Sequence, residues 1–241
     1  MEAQGKLEPV PEDWDRALAI VAHPDDLEYG SASAVARWTS QGKSVVYALV
    51  TSGEAGSMAP EEAGPLREQE ERTGAAIVGV DSVEFLGHPD GMIEQGLALR
   101  KDIARSIRRH RPELIVTLNY HATWPGGVGF NMADHRAAGA AVLDAARDAG
   151  NRWVFRELLD EGFEPWDGVR YICVNASPYA THAVDVTNFL DQGIASLEGH
   201  RAYIDGLGGT FDITEFLTSG ASSVGEQAGV KYAVGYELMR S

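Results

Sequence analysis

The segment VAHPDDLEYG at residues 21–30 places a histidine, a proline and two adjacent aspartates directly after a hydrophobic run. Neighbouring carboxylates repel each other, and Pro24 cannot continue the hydrogen-bonding ladder of a strand. Such a segment is costly unless a positive charge compensates the carboxylates, and a bound cation is the obvious candidate. His23 and Asp26 lie three residues apart, so one turn can direct both side chains towards the same point.

A catalytic zinc ion uses about three protein ligands from His, Asp or Glu and keeps an open position for water. The chain has seven histidines, and His135 is the best placed because it begins a helix after the fourth predicted strand. Its neighbour Asp134 can hold a histidine ring in the right tautomer. Asp25 is left uncoordinated on this interpretation, and a carboxylate there can act as a general base.

A structural interpretation of the same residues stays open at this point. An aspartate at the end of a strand commonly caps the following helix, and HPDD can be a turn that contains a structural histidine. The sequence has no CxxC pair or HExxH helix that would strengthen the metal interpretation. The spacing of His23 and Asp26 alone therefore does not decide between the two.

Apolar strands alternate with amphipathic helices through the first 150 residues. We predict strands at 17–22, 43–53, 82–87 and 113–119, and helices at 31–42, 65–80, 97–110 and 133–150. This alternation predicts a mostly parallel sheet with helices on both faces. We expect one doubly wound α/β domain over residues 1–241, in which residues 1–15 are a polar lead-in.

The pattern is less regular elsewhere. The acidic, glycine-rich segment at 54–65 is typical of a mobile loop. After residue 150 we predict a strand at 169–175 and a helix at 185–204, followed by a segment rich in glycine and serine.

Polar segments follow each of the first four predicted strands, in the order VAHPDD, TSGEAG, FLGHPDG and LNYHATWPGG. Ligands of such sheets bind at the carboxyl ends of the strands, near the point where the strand order reverses. All four segments should therefore lie on the same rim, where they can form one site.

Composition limits the possible surroundings of the chain. The longest apolar runs fall short of the roughly 20 residues that cross a bilayer, and the acidic start does not resemble a signal peptide. The single cysteine, Cys173 in YICVN, fits a reducing compartment; it can be a nucleophile, but its apolar neighbours favour a buried strand. We therefore expect a soluble, cytoplasmic protein with no membrane partner.

The net charge of −16 argues against a nucleic-acid partner, because phosphate binding needs a basic surface. The basic cluster at 105–111 lies at a predicted helix end, where cations complement the helix dipole. We interpret it as a solvated helix end.

Several motifs together resemble one known family. VAHPDD, TSGEAG, LREQEERTGAA, FLGHPDG and DHRAAG occur in the order found in the PIG-L/LmbE-like metal-dependent de-N-acetylases, and THAVDVT and YAVGYE extend the resemblance over most of the chain. The resemblance implies a Rossmann-like fold and zinc-dependent removal of acetyl groups from N-acetylglucosamine-type substrates. Relatives cleave other amides, including thiol conjugates. Iron is an alternative to zinc, because imidazole and carboxylate suit both ions.

The resemblance also implies roles for individual residues. His23, Asp26 and His135 would be the metal ligands, and Asp25 would be the general base that takes a proton from the attacking water. Arg67, in the R-x-x-E part of the predicted helix, would lie near the substrate.

One departure from the family pattern concerns Met132, which stands where the family often has a histidine that assists the reaction. His182 follows the fifth strand and is our candidate for that vacant catalytic role. Glu54 is a candidate for binding substrate hydroxyls, although a loop carboxylate is often only solvated. Trp124 can stack on a sugar or simply anchor its loop. The other histidines are interpreted as surface, structural or solvated residues: His88, His110, His121 and His200.

The predicted function is zinc-dependent hydrolysis of an N-acetyl or N-acyl group on a glucosamine-containing small molecule. Two alternatives stay open, an amidase that acts on a larger thiol or sugar conjugate and a non-catalytic metal- or sugar-binding module. The chain can also form a homo-oligomer.

Overall fold

The hydrophobic run that precedes HPDD forms an interior strand of the sheet. The computed structural model describes residues 6–56, 58–206 and 212–240. Its strands are β1 (Glu8–Pro9), β2 (Arg16–Val21), β3 (Ser44–Leu49), β4 (Ser82–Phe85), β5 (Leu114–Leu118), β6 (Tyr171–Asn175), β7 (His182–Asp185) and β8 (Ala233–Arg240). Its helices are α1 (Ala32–Ser40), α2 (Pro60–Ile77), α3 (Leu97–His110), α4 (Ala133–Gly150), α5 (Glu157–Asp160), α6 (Leu190–Glu198), α7 (Arg201–Gly206) and α8 (Ile213–Ala228).

The strands form one mixed sheet in the order β1-β7-β8-β6-β5-β2-β3-β4. Strand β2 pairs in parallel with β3 on one side and with β5 on the other. Strand β8 is antiparallel to both of its neighbours, β6 and β7. The prediction of a mostly parallel sheet in a single α/β domain is therefore confirmed.

Successive residues of β2 pack on opposite faces of the sheet, as the two-residue repeat of a strand requires. Ala19 packs in a cluster with Trp38 of α1. Leu18 and Ile20 pack in a second cluster, with residues of α3 and α4 that include Ile103. Helices cover both faces, as predicted, and this explains why β2 is apolar at almost every position.

The structure corrects the prediction of a loop over residues 54–65. Helix α2 already begins at Pro60, with Glu61 and Glu62 in its first turn. Proline is favoured at the first helical position, and acidic residues there complement the helix dipole. Pro65 lies inside this helix, so the acidic, glycine-rich composition that predicted a loop over 54–65 does not prevent a helix from Pro60 onwards.

The carboxyl-terminal third differs most from the sequence prediction. The predicted helix at 185–204 starts with the last residue of β7 and is divided at Gly199 into α6 and α7. Helix α8 was not predicted, and its Asp212 accepts the backbone N–H of Glu215 as an N-cap. Within the predicted lead-in, β1 pairs with β7. Residues 1–5 and 207–211, which belong to the lead-in and to the glycine-rich segment, lie outside the described residues.

Two further findings concern the single cysteine and membrane-spanning helices. Cys173 is buried in β6, and burial raises the pKa of its thiol, which favours the structural interpretation over the nucleophile. Over the residues described, no helix is both long enough and apolar enough to cross a membrane.

Close packing of α4 on the end of β5 generates a prediction. A Cβ atom at Gly139 would lie 2.8 Å from the backbone oxygen of Leu118, whereas a Cβ atom at Gly220 of α8 would meet no described atom within 4 Å. Both glycines lie inside helices, where alanine is intrinsically favoured by about 0.5–1 kcal/mol. We expect Gly139→Ala to lower the free energy of unfolding by about 1–3 kcal/mol.

Chemical denaturation measures the effect, and Gly220→Ala is the matched control, expected to stabilise by up to about 1 kcal/mol. Equal stabilisation by both substitutions would contradict the close approach of α4 to β5.

Candidate metal centre

The candidate site lies at the carboxyl end of β2. The strand order reverses here, because the chain continues to β3 on one side of β2 and returns as β5 on the other side. His23 and Asp26 follow β2, and His135 lies in the first turn of α4, which follows β5. All three are less than a tenth exposed. The topology therefore brings two distant segments together at the position where such sheets bind ligands.

Three side chains converge closely. The Nδ1 atom of His23 lies 3.6 Å from Oδ2 of Asp26, and the Nε2 atom of His135 lies 3.1 Å from Oδ1 of the same carboxylate. One ligand atom from each residue lies within 4.8 Å of the other two. These side chains are the three that the sequence predicted as metal ligands.

The opposite nitrogen of each imidazole contacts a further side chain. His23 Nε2 lies 3.1 Å from Asp90 and 3.3 Å from Asp134, and His135 Nδ1 lies 3.1 Å from Oδ1 of Asn131. Such contacts fix the tautomer and orientation of a metal-binding histidine. Asp134, which we predicted to hold a histidine ring, lies beside His23 and also accepts backbone N–H groups of the loop after β4.

This donor set fits a divalent metal ion. Two imidazoles and a carboxylate are the ligands that zinc and iron sites use. Burial opposes a charge on His23, but hydrogen bonds to Asp26 and Asp90 raise the pKa of its imidazole to about 11. The site therefore favours positive charge, which a divalent cation would supply. His23, Asp90 and Asp134 form a second possible ligand group, but that arrangement would leave His135 unused.

Asp25 lies beside this group and has an unusual backbone conformation, with φ of 84°. Its N–H donates to Oε2 of Glu71 at 3.0 Å, and its carboxylate accepts from Nη2 of Arg67 at 3.0 Å. Burial raises the pKa of the Asp25 carboxyl to about 7, although the charge of Arg67 acts in the opposite direction. A carboxyl group with such a pKa can exchange a proton near neutral pH.

Arg67 is buried and donates hydrogen bonds to backbone and side-chain oxygens. It donates to the backbone oxygens of Gly53 and Pro24 as well as to Asp25, and its guanidinium lies 3.7 Å from the ring centre of Tyr203. Arg67 also lines the cavity in front of the metal centre. Its position beside the substrate was predicted, but its contacts show that it orients Asp25 as well.

The cavity has a volume of about 560 Å³ and its wall is rich in aromatic side chains. Trp124 lines it, with its ring edge-on to that of His135 at 5.7 Å between centroids. Met132, which stands where the family often has a histidine, also faces the cavity. Further lining residues include Tyr29, Tyr203 and Phe216.

Two predicted site residues lie elsewhere. The carboxylate of Glu54 accepts the backbone N–H of Asp90 at 2.9 Å and does not line the cavity, so it holds the loop after β4. His182 begins β7, which β8 separates from β6, and its Nε2 lies 3.8 Å from Glu8. The structure thus places His182 outside the cavity, contrary to our expectation that it returns to the site.

The remaining histidines contact carboxylates outside the metal centre. His88 contacts Asp102, His110 contacts Glu84 and His121 contacts Glu237. His200 was predicted to be solvated, but it is fully buried. That prediction was wrong because the predicted helix is divided at Gly199, directly before this residue.

Sequence reasoning missed two supporting residues, Asp90 and Asn131. Asp90 belongs to FLGHPDG, a polar segment that we expected on the rim without assigning a role to its aspartate. Asn131 lies four residues before His135, a distance at which a helix entry can bring two side chains together. The sequence therefore contained a signal for Asp90, a carboxylate that follows a predicted strand, but none for Asn131 taken by itself.

An α/β sheet with two histidines, one aspartate and a second carboxylate converging at its rim defines a metal-dependent hydrolase type of site. The chain belongs to the PIG-L family, because the family model described as GlcNAc-PI de-N-acetylase matches residues 18–146, more than half of its length. The family is metal-dependent, and the curated relatives of this chain are named as deacetylases, which are amide hydrolases. The resemblance that the motifs indicated is confirmed.

Individual relatives agree with this assignment. The chain is 26% identical to diacetylchitobiose deacetylase of Thermococcus kodakarensis over 94% of its length and 84% of the relative. It is 30% identical to 1D-myo-inositol 2-acetamido-2-deoxy-α-D-glucopyranoside deacetylase of Kineococcus radiotolerans, over 56% of the chain and 48% of that protein. It shares its fold with N,N'-diacetylchitobiose deacetylase from Pyrococcus horikoshii, with a TM-score of 0.84, 24% identity, and 95% and 85% of the two chains covered.

The contact between Asn131 and His135 generates a prediction about metal affinity. Asn131→Ala removes the oxygen that faces Nδ1 of His135, so the ring loses its fixed orientation. We expect the affinity for zinc to fall by about 10- to 100-fold, as measured by calorimetric titration. Asn188→Ala, which changes an exposed asparagine, should leave it unchanged. Unaltered zinc affinity in the Asn131 variant would exclude a supporting role.

Proposed function

We propose that this protein is a zinc-dependent de-N-acetylase, which hydrolyses the N-acetyl group of a glucosamine-containing small molecule. The observation that carries the proposal is the convergence of His23, Asp26 and His135 beside the uncoordinated carboxyl of Asp25, at the floor of an open cavity. The named activities of the relatives support the acetyl group and the glucosamine scaffold. Zinc suits the donor set, and iron is the alternative.

His23, Asp26 and His135 would hold the ion, which when bound lowers the pKa of water and polarises the amide carbonyl. Asp25 would take the proton of the attacking water, since a carboxyl group with a pKa of about 7 can both accept and release a proton at neutral pH. It would then return this proton to the nitrogen of the leaving amine. Arg67 keeps the carboxyl of Asp25 directed towards the site throughout.

The cavity wall supports a sugar-containing substrate. Aromatic side chains such as Trp124 and Tyr203 line it, and flat aromatic rings provide apolar contact surface for the faces of a pyranose ring. The products would be acetate and a free amine.

A second candidate, hydrolysis of a larger amide conjugate, is favoured by a neighbouring cavity of about 700 Å³. It shares Tyr29, Asn175, Ala176 and Phe216 with the cavity at the metal centre. A substituent on the sugar can extend into this second space. The alternative of a non-catalytic binding module predicts bound metal without release of any amine.

We further propose that the protein acts in the cytoplasm and has no nucleic-acid partner. The single buried Cys173 is compatible with a reducing compartment, and the net charge of −16 disfavours phosphate backbones. A homo-oligomer stays possible as a proposal that light scattering can test.

Replacing Asp25 tests the proposed base. Asp25→Asn keeps the shape of the side chain but cannot accept a proton, so turnover should fall by about 100- to 10,000-fold while bound zinc is retained. Amine release from N-acetylglucosamine derivatives and larger amide conjugates measures turnover, and elemental analysis measures zinc. His135→Ala should instead lose zinc affinity.

His182→Gln is the control for this experiment, because His182 lies outside the cavity and its replacement should leave turnover unchanged. Full activity of the Asp25→Asn protein would contradict the assigned base. Lost activity of His182→Gln at normal stability would restore the catalytic role that the sequence suggested for this histidine.

A further inference from the structure

A second group of potential metal ligands lies behind Asp25 and is not used by the proposed reaction. Glu28 follows the HPDD turn, Glu71 lies on α2, and His200 lies between α6 and α7. The side chains of all three are fully buried. We propose that Glu28, Glu71 and His200 form a buried binding site for a second divalent transition-metal ion.

The distances in this group suit a shared ion better than direct hydrogen bonds. His200 Nε2 lies 3.8 Å from Oε2 of Glu28 and 3.7 Å from Oε2 of Glu71, whereas N–H···O hydrogen bonds are about 2.7–3.2 Å long. Ligand bonds of about 2.0–2.2 Å place neighbouring ligand atoms roughly 3.3–3.8 Å apart. One ligand atom from each residue lies within 4.8 Å of the others.

Unsatisfied polar atoms in the group provide a second, independent observation. Both ring nitrogens of His200, Oε2 of Glu28 and Oε1 of Glu71 are buried, and none has a hydrogen-bond partner among the described residues. Buried polar groups are nearly always hydrogen-bonded, and leaving one without a partner destabilises the fold. A cation bound between the three side chains would satisfy several of these atoms together.

The ligand types in the group suit a divalent cation, because an imidazole and two carboxyl groups, which lose their protons when a metal binds, are ligands of transition-metal ions. Burial, together with the charge of Arg67, lowers the pKa of His200 to about 3. The imidazole is therefore neutral, as a metal ligand must be, and two carboxylates would balance a divalent ion.

An ion at this site would also have a consequence for the candidate active site. Oε2 of Glu71 accepts the N–H of Asp25 at 3.0 Å, and Asp25 has the strained backbone described above. Metal binding by Glu71 would fix this acceptor and, through it, the turn that carries Asp25. Because the group is inaccessible to solvent, the ion would be incorporated during folding. The proposal does not rest on the proposed hydrolase activity.

Crystallography with zinc tests the proposal directly. Wild-type protein is refolded with Zn²⁺ and crystallised, and anomalous difference maps are measured above and below the zinc absorption edge. We expect one peak between Glu28, Glu71 and His200, in addition to the peak at the first metal centre. A filled first centre with no anomalous density at the second position would overturn the proposal.

Zinc content after refolding and desalting gives a second measurement. We expect about two ions per wild-type chain and about one in Glu71→Gln, which can still accept the N–H of Asp25 but is a poor ligand. Glu70→Gln is the matched control, since Glu70 is the preceding residue on α2 and accepts the N–H of Ala202 instead. It should retain the wild-type content, and equal zinc content in all three proteins would overturn the proposal.

Discussion

Two adjacent carboxylates, Asp25 and Asp26, lie buried after strand β2, and the arrangement of the site follows from how the negative charge of each is compensated. Burial alone would raise the pKa of both. Contacts with His135 and His23 lower the pKa of Asp26 and keep it ionised, whereas the pKa of Asp25 is raised to about 7 despite the nearby charge of Arg67. One turn thereby supplies an anionic ligand and a group that can accept and return a proton.

This difference between neighbouring residues depends on the order of the strands. Because β2 lies between β3 and β5, the turn after β2 meets α4 on one side and the segment around Gly53 on the other. Helix α4 brings His135 to Asp26, and α2 brings Arg67 to Asp25. The sheet therefore gives each carboxylate its own partner, although only a peptide bond separates the two residues.

Local sequence patterns predicted strands β2 to β5 and the helices that follow them, because the hydrophobic periodicity there agrees with the packing of the fold. Helix α3 at 97–110 and helix α4 at 133–150 have the predicted bounds. The failures lie where tertiary contacts dominate: residues 182–185 form β7 because β1 and β8 pair with it, and Gly199 divides the predicted helix. The start of α2 at Pro60 was missed because the acidic, glycine-rich composition of residues 54–65 was interpreted as a loop.

The site shows the same division between local and long-range information. His23, Asp26 and His135 were selected from residue types and family motifs, and the structure brings them together, but their role as ligands stays a prediction. Glu54 and His182 were chosen because each follows a strand. The carboxylate of Glu54, however, accepts a hydrogen bond from the loop after β4. His182 lies away from the site because β8 pairs between β6 and β7. Only the complete sheet order contains that information.

The proposed chemistry of the site is hydrolysis of an amide with the help of a metal ion held by His23, Asp26 and His135. The most direct test is to measure amine release from N-acetylglucosamine derivatives by the protein as purified, after removal of accessible metal with a chelator, and after addition of Zn²⁺. We expect release to stop on chelation and to return with zinc. Undiminished release by protein shown to lack metal at this centre, or no release from any amide by protein that holds it, would exclude metal-dependent hydrolysis at this site.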